Sequence, residues 1–404
     1  MLKFSGIKFG LLPKLLLAII LGIAMGSLDF LPLVRLMATF NGIFGNFLGF
    51  VIPLIIVGFI APGIGDLGKG AGKLLAITAG LAYLSTVFAG SLAWLINTLA
   101  LPSLLQGNVF SIGEQQEAVI APFFKVDMPP LMPVMSALLL AFILGLGITI
   151  QKGNAIKNVM KEFQLIIEKI ISTIIIPFLP LHIAGIFAQM TYSGQAAMIL
   201  SVFIKVFAII FALHMLMLLI QFTVAGALTK QSPFKLIKNM LPAYFTAIGT
   251  QSSAATIPVT LKQSLKNKVS EEVADFAVPL CATIHLSGST ITITSCAMAI
   301  MMLNGMPTDF SLIFGFVMML GLTMIAAPGV PGGAVVAALG LLEAMLNFSL
   351  PLTSLMMALY MAQDSFGTAC NVTGDGAISI MVDKLNKQKG EKVPTKQIED
   401  LQSV

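Results

Sequence analysis

The feature that most limits this chain is the near-continuity of its apolar runs: between Leu11 and Met381, stretches long enough to cross a bilayer follow one another with short interruptions. A hydrocarbon core of about 30 Å takes roughly 20 apolar residues of helix per crossing. Of 404 residues, 57% are hydrophobic and 10% charged, too few polar groups to cover the molecule in water. An all-α polytopic membrane protein follows, with no room for a separate soluble domain. Residues 1–11 carry no small-residue cleavage site, so the first span reads as retained.

Apolar runs and breakers together predict spans near 11–29, 36–63, 73–100, 131–150, 163–190 and 195–227. After Lys230 the pattern changes. Residues 233–265 are apolar but interrupted by Gly249, Thr250, Gln251, Ser252 and Ser253, which leaves two arms too short to cross. A full span follows at 273–303. Residues 310–346 are interrupted in turn, by Ala327-Pro328-Gly329-Val330-Pro331-Gly332-Gly333, before a last span at 350–384. Eight transmembrane helices and two re-entrant hairpins are therefore expected. Lipid offers no hydrogen-bond partners, so backbone that leaves a helix at membrane depth must be buried in protein or line a wet cavity. Two such breaks in matching positions of two halves point to a transport site. The match is numerical: 35 positions separate Ser252 from Ser287, and the same number separates Gly329 from Asp364, as inverted repeats require.

Charge placement sets the orientation. Loop lysines, among them Lys69, Lys73, Lys152, Lys157, Lys161, Lys230, Lys262 and Lys266, collect on one side, with little beyond Arg35 and Lys125 on the other. Positively charged loops stay cytoplasmic, so both termini are expected there. The net charge of +5 therefore reports sidedness rather than nucleic-acid binding. Cys281, Cys296 and Cys370 lie in apolar surroundings and suggest neither a disulfide framework nor a zinc site. No nucleophile–base pair or metal-ligand cluster points to an enzyme.

Three polar constellations carry chemistry. Ser252 and Ser253 at the first break would offer free N–H groups and hydroxyls at the start of a short helix, a seat for a carboxylate; a serine-rich kink is the alternative. The second break, with Pro328, Gly329, Pro331 and Gly332, cannot stay helical through its centre, and is either a moving tip or a static loop. The last span holds Asp364, Thr368, Asn371 and Asp375 at spacings of four, three and four, on one helical face. Acids inside an apolar span are costly and face a site. One suits a substrate ammonium and the other a sodium ion completed by backbone carbonyls; a pair of neutral structural carboxyls is the competing reading. His285 interrupts the seventh span and offers proton coupling as an alternative, against a neutral hydrogen-bonded histidine. His182, His214 and Lys205 are expected at subunit or domain contacts, and Glu343 there or snorkelling. The single arginine, Arg35, lies outside these constellations, so no guanidinium is at hand to grip a side-chain carboxylate and acidic substrates are disfavoured.

At these residues the chain resembles the dicarboxylate/amino acid:cation symporter family, which includes the glutamate transporters. Ser252-Ser253-Ala-Ala-Thr256-Ile-Pro258 is similar to the first hairpin tip, Gly329-Val330-Pro331-Gly332 to the second, and Asn371-Val-Thr-Gly374-Asp375 to the last-span motif. The resemblance implies a glutamate-transporter-like elevator fold in a homotrimer in the cell inner membrane. Residues 1–229 would form scaffold and trimerisation spans with some transport helices, 230–385 the transport core, and 386–404 a cytoplasmic tail. It implies that Ser252, Ser253, Gly329, Val330, Pro331, Gly367, Thr368 and Asn371 surround the substrate, with Asp364 on its ammonium. One sodium would sit on Asp375 with carbonyls of Cys281, His285 and Asn371, and a second among carbonyls near Thr283, Met324, Ile325 and Ala327.

Departures from the family pattern sharpen this. The Asn-Met-Asp-Gly-Thr motif reads His285-Leu286-Ser287-Gly288-Ser289 here, which removes a carboxylate and puts a third sodium site in question. The family's side-chain-reading arginine is Gly367, and the arginine beside the first tip in some members is Gln251. Gln363-Asp364-Ser365 and Ile291-Thr292-Ile293-Thr294 are closest to the bacterial sodium:serine/threonine symporters of the family. A small neutral amino acid is the expected substrate. A dicarboxylate or acidic amino acid carrier and an anion channel are the rivals.

Overall fold

The computed structural model describes residues 11–67, 72–105, 120–151, 153–194, 196–325, 327 and 331–387. They are almost entirely helical. The chain opens with α1 (Leu11–Ser27), α2 (Leu31–Leu67) and α3 (Gly72–Leu105); after an extended segment come α4 (Val134–Ile150), α5 (Ala155–Ile170) and α6 (Ile176–Tyr192). A π-helical turn, Ile171–Ile175, joins α5 and α6 into one rod, followed by α7 (Ala196–Thr229). Among the described residues, five helical stretches, beginning at Leu31, Lys73, Ala155, Ile199 and Glu271, are long and apolar enough to cross a membrane.

The second half is built from broken helices. The first interrupted stretch folds as α8 (Pro233–Thr250) and α9 (Ser253–Lys266), the seventh span as α10 (Glu271–Ile284) and α11 (Ser287–Leu303). The second interrupted stretch folds as α12 (Phe310–Met324) and α13 (Gly333–Leu346), and α14 (Leu350–Lys387) closes the chain. The first break is narrower than the sequence suggests. Gly249 and Thr250 stay helical, and the turn is made by Gln251 alone in the left-handed region, φ 53°, before Ser252 caps α9. The fourth span starts three residues later than expected, because Pro133 stands at its N-cap.

Packing divides the helices. α2 packs on α4, α5 and α6, and α1 on α6. At that last contact Gly22 and Gly26 bring two backbones together: a Cβ on either would stand 2.4 Å from a carbonyl oxygen, of Ala184 or Ala188. Small residues four apart are the usual device for such close approach in lipid. α14 is the hub of the other group, packed on α3, α7, α8, α9, α10 and α11. α11 is buried on all sides from Ser287 to Met301, which places its serines and threonines inside protein rather than in lipid. α13 touches both groups, α2 and α4 on one side and α14 on the other.

Between α3 and α4 the chain is strapped along α2. Arg35 Nε donates to Ala121 O at 3.0 Å, its guanidinium lies 4.6 Å over the Phe123 ring, Thr39 Oγ1 accepts from Phe123 N, and Asn46 Nδ2 donates to Val126 O. Positions 35, 39 and 46 share one face of α2, so the only arginine is committed to the strap.

Candidate functional site

The polar face of α14 meets three backbone breaks in succession. Asp364 is nearest the second hairpin, and its Oδ2 accepts from Gly332 N at 2.8 Å. Gly332 has φ 74°, and a Cβ there would fall 2.4 Å from Met361 Sδ, so glycine is favoured where this N–H meets the carboxylate. One residue along α14, Ser365 Oγ accepts from Gln251 Nε2 at 2.8 Å, which pins the first hairpin turn beside the same carboxylate. Ser252 caps α9 through its hydroxyl, accepting from Ala255 N. Ser253 is buried, and its side chain makes no hydrogen bond among the described residues. Thr368 flanks Asp364, one turn further on.

Two turns below Asp364, Asn371 caps a helix to which it does not belong. Its Oδ1 accepts from Gly288 N at 2.7 Å and Ser289 N at 3.2 Å, the first free donors of α11, and its Nδ2 donates to Ser289 Oγ at 2.9 Å. Such caps contribute about 1 kcal/mol. Tyr360, the largest fully buried side chain, donates to the same Ser289 hydroxyl at 3.0 Å. Gly288 allows the approach: a Cβ there would stand 2.5 Å from Gly367 O.

The third level is a chain of side chains around the break between α10 and α11. His285 Nδ1 lies 2.9 Å from Asp375 Oδ1, and its Nε2 lies 3.0 Å from Ser85 Oγ. Gln221 Nε2 donates to Ser85 Oγ at 2.9 Å and to Ser287 Oγ at 3.3 Å. A neutral imidazole satisfies every contact, with Nδ1–H donating to the carboxylate and Nε2 accepting the serine proton. The Asp375 carboxylate is a hard oxygen donor of the kind a small cation takes, with Oδ1 turned to the ring. Cys281 O accepts from His285 N at 2.8 Å.

Other expected residues are placed as follows. Met324 ends α12, and its carbonyl accepts from Ala327 N; Ile325 follows in helical conformation, and Ala327 is buried. Thr283 is exposed on α10, its hydroxyl turned to Leu280 O, with no hydrogen bond to the α12 end among the described residues. Pro331 is half-buried, whereas Gly329 and Val330 lie outside the described residues. Gly367 is buried against α11.

His182 and His214, expected at subunit or domain contacts, are both buried between helices of the chain. His182 lies 3.0 Å from the Asn41 amide between α6 and α2, and His214 Nε2 lies 3.0 Å from Gly288 O, at the start of α11. Lys205 reaches back to Leu104 O in the last turn of α3, where a cation suits the helix dipole. Ser85, Gln221, His214 and Tyr360 are site residues that sequence reasoning missed. The available signal was a lone polar group within an apolar span.

A membrane carrier with substrate-sized polar chemistry at paired helix breaks is the class that this fold and site define. The chain belongs to the sodium:dicarboxylate symporter family, whose match covers residues 11–385. It is 25% identical to the serine/threonine transporter SstT of Acinetobacter baumannii, over 96% of this chain and 100% of that one. Over 170 residues it is 31% identical to the neutral amino acid transporter B(0) of Rattus norvegicus, 40% of this chain and 30% of that protein. An excitatory amino acid transporter of Caenorhabditis elegans is 28% identical over 58% of this chain and 48% of its own length.

Proposed function

We propose that the protein is a sodium-coupled symporter importing a small neutral amino acid of the serine, threonine or alanine kind. The observation that carries this reading is Asp364: a buried carboxylate where both hairpins meet α14, with the only arginine held 4.6 Å over Phe123 on the strap. A zwitterion needs an acid for its ammonium and N–H donors for its carboxylate; a dicarboxylate needs a second cation that this site lacks. The SstT and B(0) relatives, named for serine/threonine and neutral amino acids, agree with that chemistry.

In this reading the ammonium replaces Gly332 N on Asp364. The α-carboxylate takes the Ser253 hydroxyl, backbone N–H groups of the two tips and the second N–H of Asn371. Gly367 and Thr368 line the small side chain. Asp375, with neighbouring carbonyls, holds one sodium, and the α12 end a second; Ser287 gives no carboxylate for a third. The eight spans are α1, α2, α3, α4, the α5–α6 rod, α7, the α10–α11 pair and α14, with α8–α9 and α12–α13 as hairpins. α3, α7 and the helices from α8 onward travel as an elevator against a homotrimeric scaffold in the inner membrane, with both termini cytoplasmic.

Uptake of labelled serine into sealed proteoliposomes under an imposed sodium gradient tests this. Accumulation driven by sodium is the expected result. Uptake driven by a pH gradient and indifferent to sodium would transfer the coupling to the His285–Asp375 pair, the second reading that their 2.9 Å contact favours. Anion currents without accumulation would mark a channel.

A further inference from the structure

The first hairpin carries a charge imbalance that its tip beside α14 does not use. From Lys230 to Ser270 the chain holds six lysines, Lys230, Lys235, Lys238, Lys262, Lys266 and Lys268, and no acid. All six are exposed, and none is ion-paired among the described residues. Three acids follow at the start of α10, Glu271, Glu272 and Asp275, two of them in the first turn where the helix dipole holds them. Asp383, on α14, is taken up by Ser270 and Lys387. The lysines therefore outnumber the acids left to oppose them by two to one.

Tertiary contacts gather these charges at the open end of the hairpin. Asn239 Nδ2 donates to Asn267 Oδ1 at 2.7 Å and Asn267 Nδ2 to Leu236 O at 3.2 Å, which ties the start of α8 to the end of α9. Lys235 and Lys238 lie in the first two turns of α8, and Lys262 and Lys266 in the last two of α9. At 1.5 Å of rise per residue, each is within about 8 Å of that end. The depth follows from the neighbouring helices: α7, long and apolar enough to cross, stops at Thr229, and the next such stretch begins at Glu271. Both ends of the hairpin thus adjoin the ends of crossings, at one membrane face.

Apolar side chains stand among the charges. Phe234, beside Lys235, is 73% exposed, and Leu265, beside Lys266, is 42% exposed. Lysines alone report sidedness. Lysines interleaved with an exposed aromatic ring at this level fit anionic headgroups, with ammonium on phosphate and ring among the upper acyl carbons. A soluble polyanion would use the charges and leave the Phe234 ring in water.

We propose that the open end of the first hairpin is a docking surface for anionic phospholipid, with Lys235, Lys238, Lys262 and Lys266 on headgroup phosphate and Phe234 and Leu265 against the glycerol and upper acyl chains. It shares no residue with the level of Asp364 or Asp375, so it stands apart from the choice of substrate or coupling ion.

The test is lipid retention by the full-length protein, taken into mild detergent from vesicles of equal phosphatidylglycerol, phosphatidylcholine and phosphatidylethanolamine and read by native mass spectrometry. Phosphatidylglycerol should be enriched about tenfold over phosphatidylcholine. Lys235→Gln, Lys238→Gln, Lys262→Gln and Lys266→Gln combined should cut that enrichment to about twofold or less. Phe234→Ser keeps every charge and should lower phosphatidylglycerol retention about threefold, since an exposed ring buried among lipid is lost. The same charge removed elsewhere, by Lys69→Gln, Lys73→Gln, Lys152→Gln and Lys157→Gln combined, should leave the enrichment within about twofold of wild type. Elution volume and melting midpoint check that each variant is folded. Equal retention of the three lipids by the wild type would overturn the proposal, as would a hairpin variant that still selects phosphatidylglycerol. Equal losses in the two four-lysine variants would reduce the effect to bulk charge, and displacement of the lipid by millimolar inorganic phosphate would make this a free-anion site; either result also overturns it.

Discussion

The two hairpins reach the same carboxylate region of α14 by unlike means. In the first, only Gln251 and Ser252 separate the arms, and both are committed: one side chain holds Ser365, the other caps α9. In the second, eight residues separate α12 from α13, and the hydrogen bond described from them to α14 is that of Gly332 N to Asp364. A side-chain latch survives when a ligand arrives. A backbone N–H resting on the ligand's own counter-ion does not, because ammonium and Gly332 compete for one oxygen. Under the proposed function, the first hairpin is a fixed wall and the second is the one that substrate would displace.

Asp364→Asn should break this comparison most severely. It keeps an acceptor for Gly332 but removes the charge for the ammonium, so serine binding by calorimetry should fall by a factor of 100 or more, on the order of 3 kcal/mol, with the elution profile unchanged. Wild-type affinity in that variant would remove Asp364 from the site. Gly332→Ala comes next, since a left-handed conformation for alanine costs about 1–2 kcal/mol and its methyl meets Met361. We expect a lower melting midpoint and serine binding up to roughly tenfold tighter, since the competing N–H is withdrawn from Asp364; Gly332→Ser should behave alike. Gln251→Ala removes one neutral hydrogen bond, about 1 kcal/mol, and should raise KM several-fold with little change in kcat. Should Gln251→Ala exceed Gly332→Ala in effect, the assignment of wall and gate is reversed.

Much of this was legible in the amino-acid order, for a physical reason. Proline and glycine at Pro328, Pro331 and Gly332 exclude a helix locally, and acids at Asp364 and Asp375 in an apolar span announce themselves without tertiary information. The exact place of the first break was not, because Gly249 and Thr250 tolerate a helix when neighbours pack well. The third level of the site was also hidden. Ser85 and Gln221 reach His285 from helices distant in sequence, and pairwise contact between spans leaves no local periodicity. Asn371 was legible as a site residue but not as a cap on α11, since that role depends on Gly288 allowing two helices to touch.

The strap along α2 bears on how far the protein can move. Its first latch, Ala121, follows the end of α3 at Leu105 by 16 residues, and an extended chain of that length reaches at most about 55 Å. A bilayer core is about 30 Å thick. If α3 moves as proposed, 16 residues of chain suffice for a stroke of that height while Ala121 stays tied to Arg35 on α2.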